Sequence, residues 1–265
     1  MMRSIVCVKP VPDPKQWSRV SMDPVTKTLK REGIPSIINP LDKHALEAAL
    51  SIREAKGGEV VLLSMAPPFA LSTIREGLAM GADRAVLLSD PVFAGSDTLV
   101  TANILAAGCK EIGEFDLVLC GNLSIDGSTA QVSSQLAEFL DLPSVMHVVN
   151  LDWGDGDRVI MTQKIEHGFT RLESSLPLVL SVRKELNRPR YIPFTGIIEA
   201  ESKEIKILSN EDLKLEHAAL GLEGSPTKMA GLEIRRFERT RERLEGSVEE
   251  IVQKLADKIY QYGII

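Results

Sequence analysis

FDLVLCGNLSIDGSTAQVSSQ, residues Phe115 to Gln135, predicts an apolar strand, then a loop of small and hydroxylic residues, then a helix. Leu117 to Leu119 have the composition of a buried strand, and Gly121 breaks it. Turn residues and a helix cap are predicted at Asp126 to Thr129, ahead of the apolar positions of the helix. Free backbone N–H groups and the positive end of the helix dipole would favour a phosphate or pyrophosphate there. The alternative is an ordinary capped helix after a strand, because the loop matches neither GxGxxG nor GxxxxGK[ST].

Apolar runs of strand length alternate with helical patterns up to about residue 140, which predicts an α/β fold with a parallel sheet. The predicted strands and helices before the loop are Ser4–Val8, Asp42–Ala55 (helix), Glu59–Met65, a helix from near Ser72, Ala85–Ser89 and Ser96–Ile112 (helix). Ligands of such sheets bind at the carboxyl ends of the strands. Three segments that follow strands are therefore expected to meet over one crevice: Cys7–Asp13, Met65–Pro68 and Gly121–Ser133.

From Ser144 the pattern changes to longer alternating stretches. Val148–Trp153 and Arg158–Lys164 predict a β-hairpin across the turn at 154–157, and Leu178–Val182 predicts a third strand. Residues 187–198 are expected to form an irregular, exposed loop. The end of the chain reads as an extended arm with an apolar helix at Val248–Tyr262, which either folds back on its own domain or docks on another chain. The predicted domains are 1–225, including the hairpin, and 226–265, the arm and its helix.

The composition of the chain argues against several classes of protein. The chain has 265 residues, 44% of them hydrophobic, and a net charge of −6, which argues against non-specific nucleic-acid binding. The apolar runs are too short for a membrane span, and the first residues lead directly into a strand rather than a signal segment. Three cysteines without CxxC spacing suit a reducing cytoplasm, so neither membrane insertion nor disulfides are expected.

Local spacing supports no catalytic group and no metal site. The four histidines lie far apart, without a cysteine or carboxylate at ligand spacing. No Ser-His-Asp, Cys-His or paired-carboxylate arrangement is present in local sequence, so a hydrolase acting alone lacks a nucleophile. Lys9, at the end of an apolar strand, either extends into solvent or steadies an anion. Met65 suits either the core or a contact to a flat ring.

Five segments in order along the chain resemble the beta subunit of electron-transfer flavoproteins. They are VCVKPVPD at 6–13, NPLD at 39–42, AMGADR at 79–84, DGSTAQV at 126–132, and VRKELNRPRY at 182–191 with Gly196-Ile197 behind it. The resemblance implies a Rossmann-like nucleotide-binding domain with an added hairpin and an extended arm. It also implies a cytoplasmic electron-transfer subunit whose redox chemistry belongs to a flavin rather than to side chains.

The resemblance, together with the chemistry of the residues, indicates the following cofactor-binding set: Cys7, Val8, Lys9, Asn39, Pro40, Asp42, Met65, Ala66, Cys120, Gly121, Asp126, Gly127, Ser128, Thr129, Ala130, Gln131, Val132 and Ser133. Asn39 can cap a helix that begins at Pro40. Asp126 is expected to accept turn N–H groups rather than bind phosphate, because two anions repel. Ser128, Thr129 and Gln131 can bond a phosphate, whereas Gly127 and Ala130 let the backbone approach it.

The family divides in two at this site. In the housekeeping branch the beta subunit holds AMP, and the only FAD sits mainly on the alpha partner. In the electron-bifurcating branch the beta site holds a second FAD that takes hydride from NADH and divides its electron pair. This loop follows the bifurcating pattern DGDTAQVGP at most positions, which favours FAD over AMP. Ser128 in place of an acid, and Ser133-Ser134 in place of Gly-Pro, depart from that pattern.

The resemblance also implies partners. They are an alpha subunit, a flavin-containing dehydrogenase, and ferredoxin or flavodoxin as a low-potential acceptor. Residues 187–203 resemble the family's recognition loop, with these partner-binding residues: Tyr191, Pro193, Phe194 and Gly196. Phe194 stands where leucine is common, and 199–203 is less basic than usual, which suggests a partner of different surface charge. A different class of function, a non-redox adenine-nucleotide-binding module, would share only the crevice.

Overall fold

The computed structural model describes residues 2–19, 21–22, 29–30, 35–154, 156, 158–228 and 241–263. The chain divides into two compact units, Met1–Ala230 and Gly231–Ile265. The first unit extends beyond residue 225, the end predicted from sequence. Thr227 accounts for the difference, because its backbone N–H and its hydroxyl both donate to Asp97 Oδ2, at 3.0 and 2.6 Å.

The first unit has a mixed α/β structure. Its strands are β1 Met2–Cys7, β2 Pro10–Pro12, β3 Ser21–Met22, β4 Leu29–Lys30, β5 Ser36–Ile38, β6 Gly58–Met65, β7 Arg84–Leu88, β8 Leu117–Gly121, β9 Ser144–Trp153, β10 Arg158–Ile165, β11 Gly168–Ser175, β12 Leu178–Val182 and β13 Ile205–Leu208. Its helices are α1 Pro40–Lys56, α2 Leu71–Met80, α3 Thr98–Ile112, α4 Val132–Leu140, α5 Phe194–Ser202, α6 Asn210–Leu213 and α7 Gly221–Gly224.

In the described part of the chain, the main sheet has nine strands in the order β11-β10-β9-β12-β8-β1-β6-β7-β13. The seven strands from β9 to β13 in that order are mutually parallel, and β9, β10 and β11 pair antiparallel. The predicted α/β fold with a parallel sheet and the hairpin of β9 and β10 are therefore confirmed. The turn residues Asp155 and Asp157 lie outside the described residues.

Two strands of the nine-stranded sheet, β11 and β13, were absent from the sequence prediction, as were the short strands β2 to β5 outside it. β11 has strict alternation of exposed and half-buried residues, and its pairing with β10 completes a three-stranded antiparallel extension. β13 is only four residues long and lies at the opposite edge, parallel to β7. Its position depends on a partner strand about 120 residues away, from Ala85 to Ile205, so no local pattern distinguishes it from a short loop.

The central strands are buried on both faces. One hydrophobic cluster joins the sheet to α1 and α2, and another joins the opposite face to α3 and α4. In α1, Ala45, Leu46, Ala49 and Leu50 recur at helical spacing and are fully buried, which sets the face that packs on the sheet. The two helical layers leave the carboxyl ends of the parallel strands open along one edge.

Two local predictions are wrong in detail. α4 begins at Val132, and its N-cap, Gln131, makes no side-chain capping bond, so Asp126 to Thr129 do not supply the cap. The reason is that Ser128 and Ala130 have φ values of 52° and 55°, which hold the backbone in turns and delay the helix. The predicted irregular loop at 187–198 also ends early, because α5 begins at Phe194.

Where it is described, at residues 241–263, the second unit has a segment without regular structure at 241–247 and then an amphipathic helix, α8 Val248–Gln261. Ser247 and Glu250 form a capping box, and Lys258 pairs with Glu242 at 2.8 Å. Within this unit, Val252 and Leu255 are exposed. The arm predicted to precede this helix, from residue 226, falls partly outside the described residues.

A search of the described residues for a helix that could span the bilayer found none of sufficient length and hydropathy.

Candidate functional site

The candidate site lies where the strand order changes direction. β1 has β6 on one side and β8 on the other, so the chain winds outward in both directions from β1. At such a switch point the loops at the carboxyl ends of the two neighbouring strands separate and leave a crevice. The loops after β1 and β8 are therefore the walls of the site.

Lys9 joins these two walls. Its Nζ lies 2.7 Å from Asp126 Oδ1 and 3.3 Å from Ser124 Oγ. Asp126 Oδ1 also accepts the N–H of Gly127 at 2.7 Å, so this carboxylate has the turn role predicted for it. The cation of Lys9 is thus balanced by a nearby carboxylate. Attraction for an anion at this site must then come mainly from backbone N–H groups.

Asn39 and Asp42, at the start of α1, support the loop from beneath. The Asn39 amide is fully buried; its Nδ2 donates to Leu123 O and to Asp42 Oδ1, both at 2.9 Å, and its Oδ1 accepts the N–H of Ile125 at 3.2 Å. Asn39 therefore occupies the predicted N-cap position, but its side chain makes no capping bond. It ties the loop after β8 to α1 instead.

Asp42 completes the connection between the strands. Its Oδ2 accepts the backbone N–H of Lys9 at 2.8 Å, and the N–H of Gly121 also donates to its carboxylate. Burial raises the pKa of Asp42 to about 7, against the lowering effect of the hydrogen bonds from Lys9 and Asn39. One buried carboxyl thus holds the ends of β1 and β8 against the first turn of α1.

The loop from Gly127 to Gln131 is open to solvent, but the N–H groups of Gly127 and Ser128 and the Ser128 hydroxyl donate within the turn, to Asp126 Oδ1 and Ser124 O. Gly127, Ser128, Thr129 and Gln131 are exposed, and the first turn of α4 behind them has no side-chain cap. The first N–H groups of any helix lack intrahelical acceptors. Ala130 has positive φ whereas Gln131 is right-handed, an alternation that turns successive N–H groups toward one side. This backbone can hold an anion without a side-chain cation.

The loop after β6 is the third wall, as predicted. A cavity of about 50 Å³ is lined by residues of the loops after β1 and β6 and of the segment leading into α2, including Lys9, Met65, Ala66 and Phe69. Phe69 is 64% exposed beside this cavity. The loop after β1 therefore adjoins both of the other loops, through this cavity and through the contacts of Lys9 with Ser124 and Asp126, but no residue of the loop after β8 lines the cavity.

Cys7 and Cys120 lie side by side in β1 and β8, and both are buried. The hydrogen bond with Cys120 acts to lower the pKa of the Cys7 thiol, but burial acts to raise it and the net shift is upward. The hydrogen bond that Cys120 donates to Cys7, together with burial, raises the pKa of Cys120, and burial raises that of Cys109. At neutral pH these thiols are protonated and poor nucleophiles. Their place is in the core.

The predicted cofactor residues thus divide into two groups. Cys7, Val8, Asn39, Asp42, Cys120 and Ser133 are buried. Ser133 donates its hydroxyl to Met146 Sδ at 3.1 Å, so its side chain is engaged within the protein. Half-buried or exposed members are Lys9, Pro40, Met65, Ala66, Gly121, Asp126, Gly127, Ser128, Thr129, Ala130, Gln131 and Val132.

Sequence reasoning missed Leu123, Ser124 and Ile125, which lie between Gly121 and the turn. Ser124 O accepts the backbone N–H of Ser128 at 2.8 Å, and its hydroxyl bonds Lys9. A hydroxylic residue two positions before the turn aspartate was the available signal, because Ser often bonds its own loop backbone.

The predicted partner residues form an exposed patch at the start of α5. Tyr191 is 97% exposed and Phe194 77%. Pro193 is also exposed, whereas Gly196 is buried beneath the patch against the carbonyl oxygen of Ala79 in α2. Gly196 therefore allows α5 to pack closely on α2, and a residue with a Cβ would collide there.

No group of three or more His, Cys, Asp or Glu side chains is arranged to hold a metal ion in the described parts of the chain. The four histidines are accordingly not gathered at the crevice.

Known proteins of one family resemble this chain. The family model described as electron transfer flavoprotein domain matches residues 26–213, which include α1, the loops after β6 and β8, and α5, whereas the loop after β1 with Lys9 lies before the matched range. The chain belongs to the electron transfer flavoprotein family. An electron transfer flavoprotein subunit beta of Thermoanaerobacterium thermosaccharolyticum is 45% identical over 265 residues, the full length of both chains.

Two further relatives of this electron transfer flavoprotein chain are named for the complexes they serve. The caffeyl-CoA reductase-Etf complex subunit CarD of Acetobacterium woodii is 47% identical over 229 residues, 86% of each chain. The acryloyl-CoA reductase electron transfer subunit gamma of Anaerotignum propionicum is 37% identical over 271 residues, the full length of both. The beta-subunit resemblance read from the sequence is thereby confirmed, and the role is electron transfer.

Proposed function

We propose that this beta subunit binds FAD in the crevice between β1 and β8 and takes part in electron bifurcation. The FAD at this site would take a hydride from NADH, and the resulting NAD⁺ would then leave. One of the two electrons then passes to the FAD of the alpha subunit and on to a flavin-containing dehydrogenase, and the other to ferredoxin or flavodoxin. The observation that carries this proposal is the exposed loop at 127–131 in front of the uncapped start of α4.

The residues of the crevice fit a nucleotide. Exposed small residues allow close approach of the backbone, and N–H groups of the loop and of the first turn of α4 suit a pyrophosphate. Asp126 neutralises the charge of Lys9, so these two side chains add no net positive charge to the site. The site therefore does not require a ligand with more negative charge than a nucleotide. A bound flavin would supply the redox chemistry, and the protein would bind it, orient it and set its exposure to solvent.

The alternative within the family is a carrier that binds AMP here and has a single FAD on the alpha subunit. The loop departs from the bifurcating pattern at Ser128 and at Ser133-Ser134, so the measurement below is designed to distinguish this alternative. A module that binds an adenine nucleotide without redox function is the alternative outside the family's chemistry.

The content of the purified complex distinguishes these functions. We expect about two FAD and no AMP per heterodimer when this chain is co-expressed with its alpha subunit, because each subunit would then hold one flavin. The complex is denatured, and FAD and AMP are counted by chromatography. One FAD with one AMP would establish the simple carrier, and a colourless complex with AMP alone would establish the non-redox module.

The exposed patch of Tyr191, Pro193 and Phe194 is the proposed contact to the dehydrogenase. Two relatives are named for reductases of CoA thioesters, so an acyl-CoA dehydrogenase is the appropriate probe. Large exposed aromatic residues commonly supply most of the energy of such contacts.

Replacing Phe194 with aspartate is expected to raise the KM for the heterodimer by about tenfold or more, because an apolar anchor becomes a charge that must lose its water. The assay follows electron transfer from the reduced heterodimer to the acyl-CoA dehydrogenase. Phe169→Asp is the matched control, since Phe169 is 65% exposed and lies in β11. Unchanged transfer by the Phe194 variant would remove this patch from the proposal.

A further inference from the structure

Residues 187–190, just before the exposed patch, are attached to α1 by hydrogen bonds. Asn187 Nδ2 donates to the carbonyl oxygen of His44 at 2.9 Å. The backbone oxygen and Oδ1 of Asn187 lie 3.1 and 3.0 Å from His44 Nδ1. Arg190 continues the attachment, because its backbone N–H donates to Glu47 Oε2 at 2.9 Å.

The Arg190 guanidinium makes the strongest part of this attachment. Its Nε and Nη2 donate to the two oxygens of Glu47, each at 2.9 Å, and its Nη1 donates to Glu54 Oε1 at 2.6 Å. Glu47 is 8% exposed, and a carboxylate buried to that degree requires paired donors. The planar fork of arginine matches both oxygens at once, which a lysine cannot do.

The other end of the patch is attached to a different helix. Arg75 Nη1 donates to Ala200 O at 2.7 Å, and Lys203 Nζ donates to Leu78 O at 3.0 Å and to Ala82 O at 2.8 Å. Tyr191 and Phe194 therefore lie between two fixed points. An exposed aromatic residue on a free loop would lose conformational entropy when a partner binds, and a residue held in place loses less.

We propose that Arg190, acting through Glu47, is a positioning residue for recognition of the partner dehydrogenase. It holds the segment before Phe194 against α1, so that the aromatic patch is preformed for binding. This inference rests on the proposed function, since it takes Phe194 as the apolar anchor. Neither Arg190 nor Glu47 needs to touch the partner in this role.

The test measures electron transfer from the reduced alpha–beta heterodimer to the acyl-CoA dehydrogenase. Arg190→Gln is expected to raise the KM for the heterodimer about tenfold, with kcat within about twofold and the nucleotide content unchanged. Arg190→Lys, which keeps the charge but not the fork, is expected to recover part of the loss. Glu47→Gln weakens the same ion pair from the carboxylate side and is expected to raise the KM in the same way. This variant replaces Arg190→Gln if Arg190→Gln does not fold.

Arg53→Gln is the matched control. Arg53 lies on the same helix and donates to Asp83 Oδ1 at 2.8 Å and to Gly81 O at 2.9 Å, and it does not bond the segment 187–190 that Arg190 holds. The KM for the Arg53→Gln heterodimer is expected to match that for the wild-type heterodimer. Hydrogen exchange supplies a second readout, since the amides of 187–195 are expected to exchange faster in the Arg190→Gln heterodimer than in the Arg53→Gln heterodimer.

The outcomes separate the two proposals. If Phe194→Asp raises the KM and Arg190→Gln does not, the positioning role is wrong while the recognition surface stands. If Phe194→Asp has no effect, the recognition surface itself is wrong, and the role of Arg190 is lost with it. If every variant at Arg190 and Glu47 lowers kcat and nucleotide content together, the contact is a general structural one and the inference is overturned.

Discussion

Replacing Gly121 with alanine is expected to lower the free energy of unfolding by about 3 kcal/mol and to abolish nucleotide binding. A Cβ at this position would collide with Asp42 Oδ1 and would lie 2.7 Å from the carbonyl carbon of Leu41 and 2.8 Å from the backbone N of Asp42. Backbone atoms in the first turn of α1 cannot move aside unless the helix moves. The substitution would thus separate β8 from α1 and break the hydrogen bonds of Asn39 to the loop.

Gly127→Ala is the matched control in the same loop. A Cβ there would meet only Ser124 Oγ at 3.6 Å and Lys9 Nζ at 4.0 Å, which are ordinary contacts. Its stability is expected to stay within about 0.5 kcal/mol of the wild type. If Gly127→Ala nevertheless loses nucleotide, the loop backbone approaches the ligand as predicted from sequence.

The measurement combines chemical denaturation of the full-length chain with a count of nucleotide in the co-expressed heterodimer. Wild-type stability of the Gly121 variant would contradict the close contact between β8 and the start of α1. If both glycine substitutions lowered the free energy of unfolding equally, the loop would be intolerant of any side chain, and the close contact at Gly121 would not be the cause.

Asp42 is expected to make stability fall as the pH rises from about 4 to about 7. Its pKa is raised from 3.8 to about 7 because burial penalises the carboxylate. The folded chain therefore binds this proton more tightly than the unfolded chain does. The stabilisation is fully present below the unfolded pKa and is lost as the pH rises through the folded pKa. A shift of about three pH units corresponds to about 4 kcal/mol at most.

The Asp42→Asn variant separates this effect from other titrations. We expect its unfolding free energy to lack the fall between pH 4.5 and 8 that the wild type shows in urea denaturation. It is also expected to be less stable than the wild type at pH 5, because an amide presents donors where Lys9, Asn39 and Gly121 already donate. Parallel curves for the two proteins would mean that Asp42 does not titrate in this range.

Glu185→Gln is the control for the direction of the effect. Hydrogen bonds from Arg183 and Lys164 lower the pKa of Glu185 to about 2. Its contribution is therefore present above its unfolded pKa of 4.5 and is lost as the pH falls through about 2. The Glu185→Gln substitution should leave the fall in the free energy of unfolding between pH 4.5 and 8 unchanged.

Much of the fold follows from local patterns. β6 and β8 are short apolar runs bounded by glycine, and α1 begins at a proline behind an asparagine, so their positions were predictable to within a few residues. β13 was not predictable, because it is short and gains its pairing from β7 across a long sequence separation. The start of α4 was misjudged because Ser128 and Ala130 adopt left-handed conformations that their residue types do not signal.

The candidate site divides in the same way. The loop DGSTAQV, its small residues and its likeness to one family are properties of the sequence, because turn chemistry and helix starts depend on neighbours along the chain. The bonds that give the site its form join distant residues. Lys9 reaches Asp126, Asn39 reaches Leu123, and Arg190 reaches Glu47.

The sequence by itself determined the alternation of strands and helices, the crevice loops and the family of this chain. Tertiary structure alone decided which polar side chains are buried supports and which remain open to a ligand. The physical reason is that the order of the strands brings the ends of β1 and β8 together over α1. Only that arrangement buries Asn39 and Asp42 while leaving the loop at 127–131 exposed.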